Sequence, residues 1–178
     1  MSASNAARAG RSRPDTETAE FTIARVFDAP RELVWNAFTE PDRMQHWWGP
    51  KGFTVVASKM DLRPGGTYHY GMRGPDGSTM WGKFVYREIV APERIVVVSS
   101  FSDEAGGTTR HPLSPNWPLK MLSTFLFTET GGRTTLTVKW SPLDADETER
   151  ATFAQAMTGM QQGWTGTLDR LTEYLAGV

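Results

Sequence analysis

The chain has 178 residues, a formal net charge of -1 and 39% hydrophobic residues, enough for one substantial core. A nearly neutral chain without a clustered Lys and Arg face beyond its first fifteen residues is not expected to bind nucleic acid. The lack of cysteine excludes disulfides and cysteine-ligated metal sites and fits a cytoplasmic location. No apolar run is long enough to predict insertion into a membrane.

The first residues differ in composition from the rest. Residues 1–19 are rich in Ala, Ser and Arg and show no hydrophobic periodicity, which predicts a flexible leader. We expect residues 20–178 to form a single domain.

The first predicted element is a strand. Apolar side chains alternate with period two over 21–27, and Pro30 ends the pattern. Two short helices are predicted next, over 31–38 and from 40 or 41 to about 47, before Gly49 and Pro50 interrupt the chain.

Arg25 lies on the apolar side of this first strand, in line with Phe21 and Phe27. A guanidinium on an inward face needs a partner. We expect a structural salt bridge to a carboxylate, with an anionic ligand as the alternative.

Antiparallel strands and tight turns follow. The pattern predicts strands over 53–60, 67–73, 78–90 and 94–101. A four-residue loop over 74–77 would pair Arg73 with Ser78 and place Tyr70 opposite Trp81. This register predicts one shared face for Tyr68, Tyr70, Met72, Trp81 and Val85.

A long irregular segment spans 102–118, with Gly106-Gly107 and three prolines. Such a loop in a compact domain is usually a lid, a binding loop or a disordered excursion, and we expect it to gate a site. Strands over 119–128 and 133–140 complete the sheet.

The end of the chain predicts one long amphipathic helix from about Asp146 to Ala176. Asp146 and Glu149 have the spacing of a capping box, and apolar residues recur every three or four positions. At 1.5 Å per residue this helix is roughly 40 Å long. Gly159, Gly163 and Gly166 lie within it, and each costs about 1 kcal/mol relative to alanine. They permit either close approach of a sheet, ligand or second chain, or a mild bend.

The order of elements predicts an α+β fold in which a curved antiparallel sheet of about six or seven strands wraps around the long C-terminal helix. Two short helices lie between strands 1 and 2. A wide sheet bent around one helix leaves space between them. The aromatic content of 11% suits both a core and the walls of such a cavity.

Five motifs, in order along the chain, carry a family resemblance: Phe27 to Trp35, Trp47 to Pro50, Asp61 to Gly66, Gly74 to Gly77, and Gly159 to Trp164 leading to Leu168 to Leu171. Residues 20–176 resemble the START-like helix-grip superfamily (SRPBCC). Within it they are similar to the branch homologous to the C-terminal domain of the activator of the ninety-kilodalton heat-shock protein ATPase. The resemblance implies a helix-grip fold that holds apolar molecules between sheet and helix.

The resemblance leaves three functions open. The first is a non-catalytic binder or carrier of a small apolar or aromatic molecule. The second is a cyclase, dehydratase or hydrolase in the same hollow. The third is a co-chaperone-like interaction module, although the activator itself has an additional N-terminal domain that the leader does not supply.

Histidine spacing predicts no metal or catalytic site. His46, His69 and His111 lie on different predicted elements without a paired carboxylate. We expect His69 to point outward and His111 to be the one histidine able to reach the cavity mouth. We predict no catalytic residue, no metal and no cofactor, in a monomer or homodimer.

We predict that Trp48, rather than Trp47, faces inward. The predicted ligand contacts are aromatic and methionine side chains: Trp48, Phe53, Tyr70, Met72, Trp81, Phe101, Trp140, Met157, Met160 and Trp164.

Overall fold

A computed structural model of the protein describes residues 19–178. The predicted leader over 1–19 lies outside these residues, apart from Ala19. The strands are β1 Phe21–Phe27, β2 Thr54–Met60, β3 Thr67–Arg73, β4 Thr79–Val90, β5 Arg94–Ser102, β6 Thr108–Thr109, β7 Lys120–Thr130 and β8 Arg133–Leu143. The helices are α1 Arg31–Thr39, α2 Pro41–Met44, α3 Glu147–Gln155 and α4 Met157–Ala176.

The strands form one antiparallel sheet in the order β1-β8-β7-β5-β4-β3-β2, and the two-residue β6 pairs with the end of β5. Helices α1 and α2 follow β1, and α4 ends the chain. This architecture confirms the predicted α+β helix-grip fold. No helix among residues 19–178 combines the length and apolar character needed to cross a membrane.

The core lies between the inner face of the sheet and α4. Period-two burial along β5, β7 and β8 places side chains such as Val97, Phe125 and Leu136 against the helix, which buries Leu168 and Leu171. The shared apolar surface fixes α4 on the sheet.

An ion pair joins the first strand to the last helix. Arg25 Nη1 lies 2.8 Å from Asp169 Oδ1, and Lys51 Nζ lies 3.0 Å from Asp169 Oδ2. The hydrogen bonds from Lys51 and Arg25 lower the pKa of the Asp169 carboxyl. The predicted structural salt bridge of Arg25 is therefore confirmed.

The prediction of a single helix from Asp146 to Ala176 is wrong in one respect, because Ala156 interrupts it. The Ala156 N–H donates to Phe153 O, three residues back, at a backbone φ of -96° and ψ of 8°. Phe153 in α3 packs on Trp117 of the loop between β5 and β7, whereas α4 packs across the sheet and contacts β1. The two segments therefore pack on different parts of the fold on either side of Ala156.

The predicted register of the β3–β4 hairpin is also wrong, by one residue. Arg73 pairs with Thr79 rather than Ser78. The Asp76 carboxylate accepts hydrogen bonds from the backbone N–H and the hydroxyl of Ser78, which keeps Ser78 in the turn and lengthens the loop to residues 74–78.

The corrected register moves two side chains to the other face of the sheet. Tyr70 now pairs with Gly82, and Trp81 pairs with Gly71. Because side chains alternate along a strand, Trp81 and Val85 leave the face that carries Tyr70.

Candidate functional site

A cavity of about 300 Å³ lies between α4 and the inner face of the sheet. Residues of β3, β4, β5, β7, β8 and α4 form its wall, together with 48–50 and the 103–119 loop between β5 and β7. The cavity lies where the sequence predicts unfilled space.

Most of the predicted contact residues meet at this cavity. Its wall includes seven of them: Trp48, Tyr70, Met72, Phe101, Trp140, Met160 and Trp164. Two others lie away from it. Phe53 packs beside Gly49 and Gly74, and Met157 packs on the core in the first turn of α4.

Trp81 reaches the edge of the cavity, but its ring lies on the outer face of the sheet. The ring stacks on His69 with centroids 5.1 Å apart and covers Gly71, where an added Cβ would meet it at 2.9 Å. The expectation that Trp81 faces inward is wrong because of the register shift. His69 does face outward, as predicted.

Trp48 is the centre of an aromatic cluster. Its ring meets Tyr70, Phe84 and Trp164 edge to face, at centroid distances of 5.7, 5.4 and 5.8 Å. The neighbouring Trp47 is fully buried elsewhere and donates its indole N–H to Ala37 O at 3.0 Å. The inward placement of Trp48 is confirmed.

Tyr70 places a hydroxyl on the cavity wall. Its ring lies over Gly82, where an added Cβ would stand 2.5 Å from the hydroxyl oxygen. Burial raises the pKa of Tyr70 to about 12, so the hydroxyl keeps its proton at physiological pH.

His111 brings the 103–119 loop to the cavity. Its ring lies 4.6 Å from that of Phe101 and 6.4 Å from that of Trp117. The Leu113 N–H donates to His111 Nδ1 at 3.0 Å, which assigns the proton of the neutral ring to Nε2. Burial lowers the pKa of His111.

Glu149 anchors the same loop to α3. One carboxylate oxygen accepts from Leu119 N at 3.0 Å and from Arg110 Nη1 at 3.3 Å. The other accepts from Asp146 N at 3.3 Å and completes the predicted capping box. The loop is thereby tied to the start of the helix, so the predicted gate has a defined anchor.

The cavity wall is apolar and uncharged. Among residues 19–178, no Asp, Glu, Lys or Arg lines it, and the described part of the chain contains no cluster of His, Asp or Glu that could hold a metal ion. The buried Ser99 hydroxyl is engaged by Ser123, with the two oxygens 2.8 Å apart. Such a wall suits a neutral apolar guest.

The sequence profile of the family described as activator of Hsp90 ATPase homolog 1-like protein matches residues 28–176. The chain belongs to this family. No curated protein sequence matches the chain significantly.

Solved structures share the family fold. A solution NMR structure from Arthrobacter aurescens is 25% identical, with 93% of this chain and 91% of that chain covered and a TM-score of 0.76. A crystal structure from Mycobacterium smegmatis is 24% identical, with 89% of this chain and 91% of that chain covered and a TM-score of 0.72. The crystal structure of the AHSA1 protein from Silicibacter pomeroyi is 19% identical, with 89% of this chain and 98% of that chain covered and a TM-score of 0.67.

Sequence reasoning missed several wall residues of this family member. Met80 and Phe84 lie on the inner face of β4, the face that the wrong register assigned to Trp81 and Val85. Met121 and Trp117 come from β7 and the loop, where no pattern distinguished a cavity position from a core position. The alternation along β4 correctly divided its residues between two faces of the sheet. Which of the two faces points inward depended on the length of the turn before β4.

Proposed function

We propose that the protein binds or carries a small, uncharged apolar or aromatic molecule in the cavity between the sheet and α4, without catalysis. One observation carries this proposal: the aromatic hollow of about 300 Å³ has no charged side chain among its described wall residues. Ligand sites in proteins are typically concave and mostly apolar, with a few polar groups that set orientation.

The size of the cavity sets the expected affinity. A two-ring hydrocarbon that buries roughly 250 Å² of apolar surface gains about 6 kcal/mol at 25 cal/mol per Å². This gain alone corresponds to a dissociation constant of about 30 μM. Association entropy opposes it, so we expect dissociation constants in the millimolar range for minimal probes. A natural ligand that fills the cavity more completely would bind more tightly.

Catalysis in this hollow gains no support from the wall chemistry. A general base must have a free acceptor next to the substrate. The Nδ1 acceptor of His111 is already used by the Leu113 N–H. Tyr70 remains protonated because burial raises its pKa to about 12. Both groups are therefore hydrogen-bond donors rather than bases at neutral pH.

The family name supports a second candidate, activation of the Hsp90 ATPase through protein contact. A docking surface would require a contiguous exposed apolar patch. Val26 and Val56 lie on β1 and β2, at opposite edges of the sheet, and Leu113 lies on the loop. This dispersal favours the cavity as the working site. Retention of the protein by the Hsp90 middle domain in a pull-down would instead support the second candidate.

Isothermal titration calorimetry with indane tests the proposal, using variants at two helix glycines. Gly163 lines the cavity and Gly159 does not, and an added Cβ meets no atom within 4 Å at either position. We expect indane to bind the wild type, Gly163→Leu to abolish binding, and Gly159→Leu to retain it. Folded wild-type protein that binds no indane, or equal affinity in both variants, would contradict the proposal.

A further inference from the structure

We propose that the cavity selects a ligand with a hydrogen-bond acceptor, such as a ketone, quinone or ester oxygen, and that the Tyr70 hydroxyl is the donor that recognises it. This inference rests on the proposed binding function and specifies the chemical class of the guest. Its evidence is the surplus of donors over acceptors on the cavity wall.

Tyr70 is held in one orientation by its neighbours. Its ring stacks on Tyr68 at 5.0 Å and meets Trp48 edge to face at 5.7 Å. Gly82 on the next strand has no side chain, and the hydroxyl occupies the place that a Cβ there would need. Three elements thus direct the hydroxyl to the wall between β3 and β5.

The Tyr70 hydroxyl proton has no acceptor among the described residues. The polar group that acts on its oxygen is the indole N–H of Trp48, which opposes the rise in pKa caused by burial, although no hydrogen bond of normal geometry joins the two groups. An N–H group cannot accept a proton. The hydroxyl hydrogen therefore remains for a group inside the cavity.

Other wall residues show the same imbalance. The indole N–H groups of Trp48, Trp140 and Trp164 are buried without an acceptor in the described part of the chain. Surrounding atoms enclose these three nitrogens, so they do not face the open space. The wall therefore offers two hydrogen-bond donors to a guest, the Tyr70 hydroxyl and the Nε2–H of His111. The His111 ring contacts Phe101, and Phe101 pairs with Gly82 on the neighbouring strand.

A hydroxyl without a hydrogen-bond acceptor in an apolar wall costs free energy. A guest oxygen that accepts its proton would remove this cost. A charged carboxylate guest is disfavoured because no cation among residues 19–178 lines the cavity. The selected class is therefore neutral, largely apolar and acceptor-bearing.

Tyr68 provides a matched control. It lies two residues away on the same face of β3, and its hydroxyl is also buried without a partner among residues 19–178. Tyr68 does not line the cavity. Tyr68→Phe and Tyr70→Phe each remove one unpartnered hydroxyl and no carbon atom, but only the second removes a donor from the cavity.

The experiment measures binding of two probes of nearly equal shape, indane and 1-indanone, by isothermal titration calorimetry. We expect Tyr70→Phe to weaken 1-indanone binding roughly five- to tenfold and leave indane binding unchanged, since one neutral hydrogen bond is lost. Tyr68→Phe should leave both dissociation constants unchanged.

Three outcomes would overturn the inference. If Tyr70→Phe leaves 1-indanone binding unchanged while indane still binds, the donor role fails and the proposed function stands. If Tyr70→Phe weakens both probes equally, or Tyr68→Phe has the same effect on 1-indanone, shape rather than hydrogen bonding is responsible. If folded wild-type protein binds neither probe, the proposed function fails together with the inference.

Discussion

Tyr70 and Gly82 form a cross-strand pair in which the tyrosine ring covers the glycine, on the face of the sheet that lines the cavity. The neighbouring pair, Trp81 over Gly71, repeats this arrangement on the outer face. The two faces differ in how much room the aromatic ring has to move.

This difference predicts unequal effects of alanine at the two glycines. In Gly82→Ala the new methyl group would stand 2.5 Å from the Tyr70 hydroxyl oxygen and 2.6 Å from the ring carbon that carries it. The Tyr70 ring is held by Trp48 and Tyr68 and has little room to move away. We expect a loss of about 1–3 kcal/mol in the free energy of unfolding, as is typical of overpacking. Gly71→Ala should destabilise less, because the partly exposed Trp81 ring can move into solvent. Urea denaturation measures both, and a larger loss for Gly71→Ala would contradict this account.

Glu149 is predicted to stabilise both α3 and the loop. Its side chain accepts hydrogen bonds from Leu119, Arg110 and Asp146. Glu149→Gln removes the charge, and we expect a loss of about 1–3 kcal/mol in the free energy of unfolding. Hydrogen exchange at the Leu119 amide should also become faster.

Glu147→Gln is the matched control for this variant. Glu147 lies in the same first turn of α3 but is exposed. It should change stability by a few tenths of a kcal/mol at most. Equal effects of the two substitutions would show that the buried contacts of Glu149 are not what stabilises the segment.

We expect protonation of His111 to lower the free energy of unfolding in acid. Burial among Phe101, Trp117 and the Leu113 backbone lowers its pKa in the folded state below the ordinary value of 6.5. As the pH falls, the His111 imidazole is therefore protonated at a higher pH in the unfolded chain than in the folded protein. The stability present above pH 6.5 is lost as the pH falls through the folded pKa.

Comparison with His111→Gln isolates this contribution. We expect the wild type to lose more unfolding free energy than the variant between about pH 7.5 and about pH 5.5, because only the wild type has this titrating group. The carboxylates, including Asp169 with its lowered pKa, contribute to both proteins. If the free energy of unfolding changes with pH in the same way in both proteins, protonation of the His111 imidazole does not affect stability. Arg110, its neighbour in sequence, is paired with Glu149 in both proteins.

Alanine at the two open helix glycines should stabilise the protein. Neither Gly159→Ala nor Gly163→Ala brings the new methyl group within 4 Å of another group beyond the local helix backbone. We expect each to raise the free energy of unfolding by about 0.5–1 kcal/mol through helix propensity. Thermal denaturation checks this, and destabilisation by Gly163→Ala alone would show that the cavity side of α4 is more crowded than described.

Local patterns in the sequence determined the elements and their order. Alternation over 21–27, the capping box at Asp146 and the breakers at Gly49 and Pro50 depend on neighbouring residues, so their signals survive without tertiary information. The fold followed from that order and from the five motifs, and the Arg25 salt bridge followed from a charge placed on an apolar face.

Tertiary structure alone decided the cavity wall. One hydrogen-bonded turn at Asp76 shifted the β3–β4 register by one residue and exchanged Trp81 for Gly82 beside Tyr70. A strand has a side-chain period of two, so a shift of one residue moves every following side chain to the opposite face. The break at Ala156 likewise depended on packing between Phe153 and Trp117, which are distant in sequence. Which aromatic residues fill the core and which line the cavity is therefore set by contacts between elements rather than by any pattern within one.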